Sequence, residues 1–315
     1  MLINLSSRDS ESSDDEMLNR LTKSCGAHLV GCITLCIALW AIGVSPATAD
    51  WPTWRGTPNR GAETAEELPS ELHLQWTMTL PKPQPAWPAE QGKIQFDASY
   101  EPVASQGRLF VPSMAHDHVT AYDLETGDRL WRFYTEGPVR FAPVVVDDRV
   151  LFGSDDGFLY CLAAADGSLR WKFRGGPDGR RILGNERLIS MWPVRGAPVV
   201  VDGTHYFAAG VWPFMGIFVH ALDAETGQVQ WTNSGTGSNY LVQQHGSPAF
   251  AGVAPQGYLT VSKDVLLISG GLTVPAALDR KTGEFLYFRP GERSLGKDAG
   301  GYRVVTGDDV VSDRG

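Results

Sequence analysis

The chain has 315 residues, 27 basic and 36 acidic side chains, and a formal net charge of −9. Hydrophobic residues make up 43%, enough for a sizeable core, and an acidic balance without a basic stripe excludes nucleic acid as a partner. Cys25, Cys32 and Cys36 lie near the start and Cys161 stands alone beyond them, which excludes a disulfide scaffold. No Cys-x-x-Cys pair offers a zinc ribbon or a haem attachment.

Residues 1–16 are polar and acidic, with no apolar period, and Met17 is a second candidate start. Arg20 and Lys23 then precede an apolar run from Leu29 to Val44, and Ala47-Thr48-Ala49 forms an Ala-x-Ala cleavage site. The run is 16 residues long, short of the ~20 that span a bilayer. It reads as a cleaved export signal, with an uncleaved anchor as the alternative. Leu29-Val30-Gly31-Cys32 fits a lipobox, but the apolar run follows that cysteine instead of preceding it. The expected organisation is 1–49 extension and signal peptide, 50–98 an N-terminal segment, and 99–315 a repeat region. The first 49 residues hold three basic and five acidic side chains, so the remainder carries 24 and 31, a balance of −7.

Beyond the signal, Trp51-Pro52-Thr53-Trp54-Arg55-Gly56 opens the chain, and Leu72–Leu80 reads as one strand carrying Trp76. Pro81–Pro88 is a proline-rich loop containing Trp87. A first sheet is expected from Tyr100 to Tyr134. Its central turn, His116-Asp117-His118, reads as a solvated turn or as a pair of metal ligands.

The stretch Ala142–Phe173 holds four apolar runs: Ala142–Val146, Arg149–Gly153, Phe158–Leu162 and Leu169–Phe173. Asp147-Asp148, Asp155-Asp156-Gly157 and Asp166-Gly167 separate them as tight turns, which predicts a four-stranded antiparallel meander. Cys161 on its third strand reads as a small buried side chain. A lone sheet of this size cannot bury both faces, so copies are expected beside it. They are Ala121–Trp131, Cys161–Trp171, Ala221–Trp231 and Ala277–Tyr287, whose last residues are 40, 60 and 56 apart. Each copy has a turn glycine (Gly127, Gly167, Gly227, Gly283). Three have a turn aspartate (Asp123, Asp223, Asp279), and three end in Trp (Trp131, Trp171, Trp231). Ala163 and Tyr287 are the departures.

First strands recur as Glu101-Pro102-Val103, Ala142-Pro143-Val144, Ala197-Pro198-Val199 and Ser247-Pro248-Ala249. The longer spacings imply insertions. Arg174–Trp192 is one. With Arg180, Arg181, Asn185, Arg187, Trp192 and the nearby Arg195, it is the candidate site for an anionic or aromatic group. The alternative is a self-packed loop whose arginines pair with acids. A third sheet is expected from Gly196 to Trp231, with an apolar turn at Val211–Gly216. A loop at Asn233–Gln244 leads to a fourth sheet from Gly246 to Phe288. Tyr302–Val305 and Asp309–Ser312 read as the opening strands of a fifth.

The Asp-x-x-Thr-Gly turn followed by a strand ending in Trp resembles the repeat of pyrroloquinoline-quinone (PQQ)-like β-propellers. That repeat occurs in quinoprotein alcohol dehydrogenases and in the non-enzymatic lipoprotein of the outer-membrane β-barrel assembly machinery. The opening Trp-Pro-x-Trp-Arg-Gly resembles that of secreted members, and Trp51 and Trp54 are placed to cap the propeller. The resemblance runs from Asp50 onward. It implies an all-β fold, a β-propeller of four-stranded antiparallel blades belonging to an eight-bladed ring, with four to five blades here. Leu72–Leu80 is then the strand that completes the last blade. The chain by itself is expected to form an open arc that self-associates.

The repeat is structural, so the resemblance speaks to fold before activity. The function it implies is an exported, non-catalytic binding or scaffolding domain of the periplasm or cell envelope. Its expected partners are other envelope proteins or a small ligand, and it meets the membrane only through an uncleaved signal segment. The alternative is a fragment of a PQQ- and calcium-dependent dehydrogenase, or the propeller of a larger enzyme. Those dehydrogenases set the quinone over Ca²⁺ held by carboxylate and amide oxygens, use an Asp as base, and place a disulfide of adjacent cysteines beside it. This sequence has no Cys-Cys pair and no acid–amide cluster distinct from its turn acids. No catalytic or metal-binding residue and no cofactor is therefore assigned, PQQ with calcium belonging to the alternative.

N-terminal sequencing of the exported protein is expected to start at Asp50. Recovery with the apolar segment intact, or with lipid on Cys32, would reject the cleaved signal.

Overall fold

The computed structural model describes residues 50–65, 67, 69–88, 90, 95–235, 239–242, 246–270, 274–289, 301, 303–307 and 311–314, all within the compact unit Ala49–Gly315. The expected signal segment 1–49 lies outside the described residues, as do Tyr302, Asp309 and part of the loop Asn233–Gln244.

The first blade is β1 (Val103–Ser105), β2 (Arg108–Ser113), β3 (His118–Asp123) and β4 (Arg129–Tyr134), paired in that order. The second is β5 (Val144–Val146), β6 (Arg149–Gly153), β7 (Phe158–Ala163) and β8 (Leu169–Arg174), on the runs that the sequence marks. A hairpin of β9 (Arg181–Gly184) and β10 (Arg187–Ser190) follows, turning through Asn185 and Glu186 with positive φ. The third blade is β11 (Val194–Val201), β12 (Thr204–Ala209), β13 (Phe218–Asp223) and β14 (Val229–Asn233). After it come the hairpin β15 (Asn239–Val242) and β16 (Pro248–Ala251), and the short β17 (Gly257–Tyr258), which runs parallel to β11. The fourth blade is β18 (Thr260–Ser262), β19 (Val265–Ile268), β20 (Val274–Asp279) and β21 (Phe285–Arg289). An antiparallel pair follows, β22 (Arg303–Thr306) and β23 (Val311–Arg314).

Both faces of a middle strand are buried, as copies stacked face to face require. On β7, Tyr160 and Leu162 join Phe110, Val119 and Trp131 of the first blade in one cluster. Leu159, on the opposite face, packs with Phe207 and Ala209 of the third. The third and fourth blades meet through Tyr206, Ala208 and Val219 against Leu266, Ile268 and Leu278. Beyond the fourth, Leu267 and Ala277 pack on Val304 of β22.

One contact recurs at each junction. The Trp131 indole N–H donates to Ala164 O at 3.0 Å, and its ring lies on Gly167, where a β-carbon would come within 2.7 Å of Cδ2. Trp171 donates to Glu225 O and covers Gly227; Trp231 donates to Arg280 O and covers Gly283. Each turn glycine also has φ between +72° and +77°, so the position excludes a side chain for two independent reasons. The turn aspartates shape these platforms. Asp123, Asp223 and Asp279 each accept two backbone N–H bonds, the first-ranked from Thr126, Thr226 and Thr282, which hold the carboxylates below their usual range. Ala163 offers no carboxylate, yet Gly167 N still donates to Ala163 O at 2.9 Å, so the backbone alone keeps that turn.

Two expectations need correction. Leu72–Leu80 forms no strand ladder; Leu74 is 81% exposed, and no described strand lies beside it to pair with. Trp76 nonetheless donates to Leu124 O at 3.0 Å and covers Gly127, as the repeat tryptophans do. The fourth blade opens at Thr260, not at Ser247-Pro248-Ala249. Pro248–Ala251 pairs instead with Asn239–Val242, and the true inner strand has no proline to mark it.

The opening segment runs across the inner strands. Trp51 bridges Ala104 of β1, and Pro52 O accepts from Val145 N of β5. Pro58 O accepts from Val261 N of β18, and Asn59 O from Thr306 N of β22. Arg60, fully buried, donates to Pro198 O of β11, to Leu259 O, to Trp54 O and to Thr53 Oγ1. Burial lowers it to about 10. Trp54 stacks on Tyr258 at 4.0 Å between centroids. This segment ties all five inner strands together.

Truncating Trp131, only 8% exposed, to Ala is expected to cost about 3–5 kcal/mol and lower the melting midpoint. Trp171→Ala and Trp231→Ala, at half-buried positions, should cost less. Unchanged midpoints in all three would show that the indole contacts do not hold the blades.

Candidate ligand-binding mouth

The register separates two ends of the blades. Val146 pairs with Arg149 and Arg149 with Ala163, so the Asp-x-x-Thr-Gly turns lie at one end. Gly153 pairs with Leu159 and Phe158 with Arg174, so the β6–β7 turn and the hairpin insertion leave from the other. At this second end four charged side chains are buried together. Arg140, between β4 and β5, pairs through Nη1 with Asp97 Oδ2 and through Nε with Asp155 Oδ2, both at 2.6 Å. Arg195, on β11, pairs with Asp155 through Nε at 2.8 Å and Nη2 at 2.9 Å. Ala86 N and Gln84 O join the network through Asp97 and Arg140. The charges balance, two against two, which is what makes their burial tolerable. Burial opposes the Arg140 charge, but Asp155 and Asp97 outweigh it and hold the guanidinium above its usual range. Burial prevails at Arg195 and holds it below.

Two cavities adjoin this network. The larger, about 940 Å³, is walled by the proline-rich loop with Lys82, Gln84, Arg140, Asn185 and Arg187. The smaller, about 250 Å³, lies between Trp87, Trp212, Ile182, Leu183 and Val211, with Arg195 in its lining. Trp87, Pro88 and Asn185 belong to both. Trp87 and Trp212 meet edge to face at 5.7 Å.

The six candidate residues divide. Asn185, Arg187 and Arg195 line the cavities. Asn185 donates to Pro85 O at 2.8 Å, and Arg187 pairs with Asp117. Arg180, Arg181 and Trp192 do not line them. Arg180 pairs with Asp178 and sits 4.9 Å over the Trp192 ring; Arg181 pairs with Glu136; Trp192 is buried and donates to Met215 O. The alternative of a self-packed loop with paired arginines therefore describes all four arginines. Sequence reasoning passed over Asp97, Arg140, Asp155, Trp87 and Trp212 as site residues. The available signal was a charge between apolar neighbours, as in Val139-Arg140-Phe141 and Val194-Arg195-Gly196.

His116-Asp117-His118 does not converge as a metal site: Asp117 is taken by Arg187, and the His rings are 6.2 Å apart. Burial and the nearby Arg132 push His118 down to about 4, so it stays neutral beside Thr120. Among the described residues no three His, Cys, Asp or Glu side chains gather as metal ligands. Cys161 is buried, and burial pushes its thiol up to about 11. A quinone–calcium pair does not fit the described mouth. Its buried carboxylates, Asp97 and Asp155, are held by guanidinium groups and leave only Asp97 Oδ1 without a partner, against the six to eight oxygens that Ca²⁺ takes.

These features define an all-β protein of several four-stranded antiparallel sheets, which match the fold of PQQ-like β-propellers. Residues 73–189 match the family model described as outer membrane protein assembly factor BamB. No curated protein sequence matches the chain. Among solved structures, quinohemoprotein alcohol dehydrogenase ADHIIG from Pseudomonas putida HK5 is similar, at 17% identity and a TM-score of 0.52, over 76% of this chain and 40% of that one. The quinohemoprotein alcohol dehydrogenase from Comamonas testosteroni gives 17% and 0.52, over 76% and 41%. BamB from Moraxella catarrhalis gives 21% and 0.44, over 60% and 47%. The chain spans less than half the length of each of these proteins.

Replacing Asp155 by Asn is expected to cost about 3–5 kcal/mol, because it leaves Arg195 buried without its carboxylate. Chemical denaturation of the variant checks this. A loss under 1 kcal/mol would show that the network is hydrated and contributes little.

Proposed function

We propose that the chain is an exported, non-catalytic PQQ-like β-propeller of the cell envelope, which binds another envelope protein or a small ligand at the mouth around Trp87, Asn185 and Arg195. The observation that carries this reading is the state of the mouth's charged groups. Among the described residues, Asp97 and Asp155, the carboxylates buried in this network, both pair with guanidinium groups and leave only Asp97 Oδ1 unengaged, too little for a base or a calcium shell, while the smaller cavity is aromatic-walled. The match to the BamB family model over 73–189 supports a binding role. The fold likeness to the quinohemoprotein dehydrogenases favours a second reading, the propeller of a PQQ-dependent enzyme.

Titration of the purified protein with PQQ and Ca²⁺, followed by calorimetry and by alcohol-dependent dye reduction, separates the two. Neither stoichiometric binding nor turnover is expected. Stoichiometric binding at micromolar affinity would overturn the proposal in favour of the dehydrogenase.

A further inference from the structure

The hydrogen-bond geometry of Arg195 leaves part of its guanidinium unused. Asp155 takes the side edge, through Nε and Nη2. Among the described residues no group bonds Nη1, which leaves the end edge, Nη1 with the second N–H of Nη2, as a second fork of donors. The Arg195 side chain is only 4% exposed, so this edge is already largely desolvated. Arg195 lines the 250 Å³ cavity. Asn185 is the other polar side chain in the lining, and the rest is mainly apolar and aromatic: Trp87, Trp212, Ile182, Leu183, Ile189 and Val211. A slot of this size takes one ring and a short chain, not a polymer.

A guanidinium fork matches a carboxylate in two parallel bonds. The two arginines and two aspartates balance, with Arg140 held by both carboxylates and Arg195 by Asp155 alone, so Arg195 is the guanidinium of the network with an edge to offer. Burial holds the Arg195 guanidinium below its ordinary range, a penalty that a second anion offsets. The flanking indoles supply faces and edges for an aromatic ring.

We propose that this slot is a binding site for a small aromatic monocarboxylate, its ring against the wall that Trp87 and Trp212 form together and its carboxylate on the end edge of Arg195. The inference rests on the reading of the mouth as a binding site and names the ligand class it takes. It assigns Arg195 and Trp212 recognition roles. The Arg140 network positions the Arg195 fork by holding Asp155 against it.

The test uses the protein from Asp50 onward or the full chain, with 3-phenylpropionate as probe and 3-phenylpropan-1-ol as its neutral counterpart, read by calorimetry and indole fluorescence. One saturable site is expected for the acid, with the alcohol at least tenfold weaker. Trp212→Ala should weaken the acid at least tenfold. Arg195→Lys keeps the charge and loses the fork, and should abolish the preference for acid over alcohol. Because Arg195 is buried and that variant risks misfolding, Leu183→Glu serves as the second variant. Leu183 is 77% exposed, and a carboxylate at the rim should repel the acid and spare the alcohol. Equal affinity for acid and alcohol, no saturable binding by folded wild type at millimolar probe, or undiminished binding by both Trp212→Ala and Leu183→Glu would overturn the proposal. Failure here together with no PQQ binding removes the ligand class alone. PQQ binding removes the non-catalytic reading whatever the probe does.

Discussion

An indole resting on a glycine is the contact on which the rest of this structure depends. A twisted four-stranded sheet has two apolar faces and cannot bury either by itself. The repeat meets this by ending the first three blades in a Trp and placing, one repeat later, a turn with no side chain beneath it. Trp131 over Gly167, Trp171 over Gly227 and Trp231 over Gly283, with Trp76 over Gly127, are one contact used four times, each with an N–H bond to the backbone of the same turn. The bond fixes where the indole lands, and the missing β-carbon lets it land closely. The contact adds a fixed point to the packing of the middle strands, whose side chains interdigitate between neighbouring blades.

The inner edge is held by other residues. There a segment of turns and bends, residues 51–60, lies across the inner strands. Its carbonyls accept from β5, β18 and β22 and its Arg60 donates to carbonyls of β11 and the turn before β18. A buried guanidinium with five bonds to four oxygens is a satisfied group, which is why it replaces apolar packing without leaving an orphan. Both regions of the blades therefore combine an aromatic contact with hydrogen bonds to backbone, Trp on Gly at the turns and Trp54 on Tyr258 beside Arg60 at the inner strands.

The blades were legible in the sequence because their signals are local. Asp-Gly and Thr-Gly turns and two-residue alternation act within one hairpin, so β5 to β8 fall on the runs read from Ala142 to Phe173. The fourth blade's inner strand was misplaced because Ser247-Pro248-Ala249 repeats a local pattern while its pairing partner, Asn239–Val242, is an insertion that no other copy has. Trp76 shows the same limit from the other side. The indole finds Gly127 because that contact needs only a neighbouring turn, whereas the strand around it needs a partner's backbone. At the mouth, Asp97, Arg140, Asp155 and Arg195 come from four segments, and nothing in their spacing says that they meet. What the sequence did carry was a charge set between apolar neighbours, as at Arg140 and Arg195, a placement that costs too much to persist without a buried partner.

That cost bears on what the network is for. A buried ion pair is weak evidence of net stability, since desolvation consumes most of the attraction. Four charges are held here where apolar residues would pack as well, and they join the proline-rich segment, the β4–β5 connection, the β6–β7 turn and the start of β11. Apolar packing would hold these loops but would present nothing to a ligand. A guanidinium shared with one carboxylate keeps a second edge of donors at a fixed angle, already desolvated, next to two indoles. Preorganised donors of this kind gain affinity by removing the ordering that a flexible surface arginine would undergo on binding. The same pairing engages Asp97 and Asp155, so the groups that fix the Arg195 edge are themselves held by guanidinium groups.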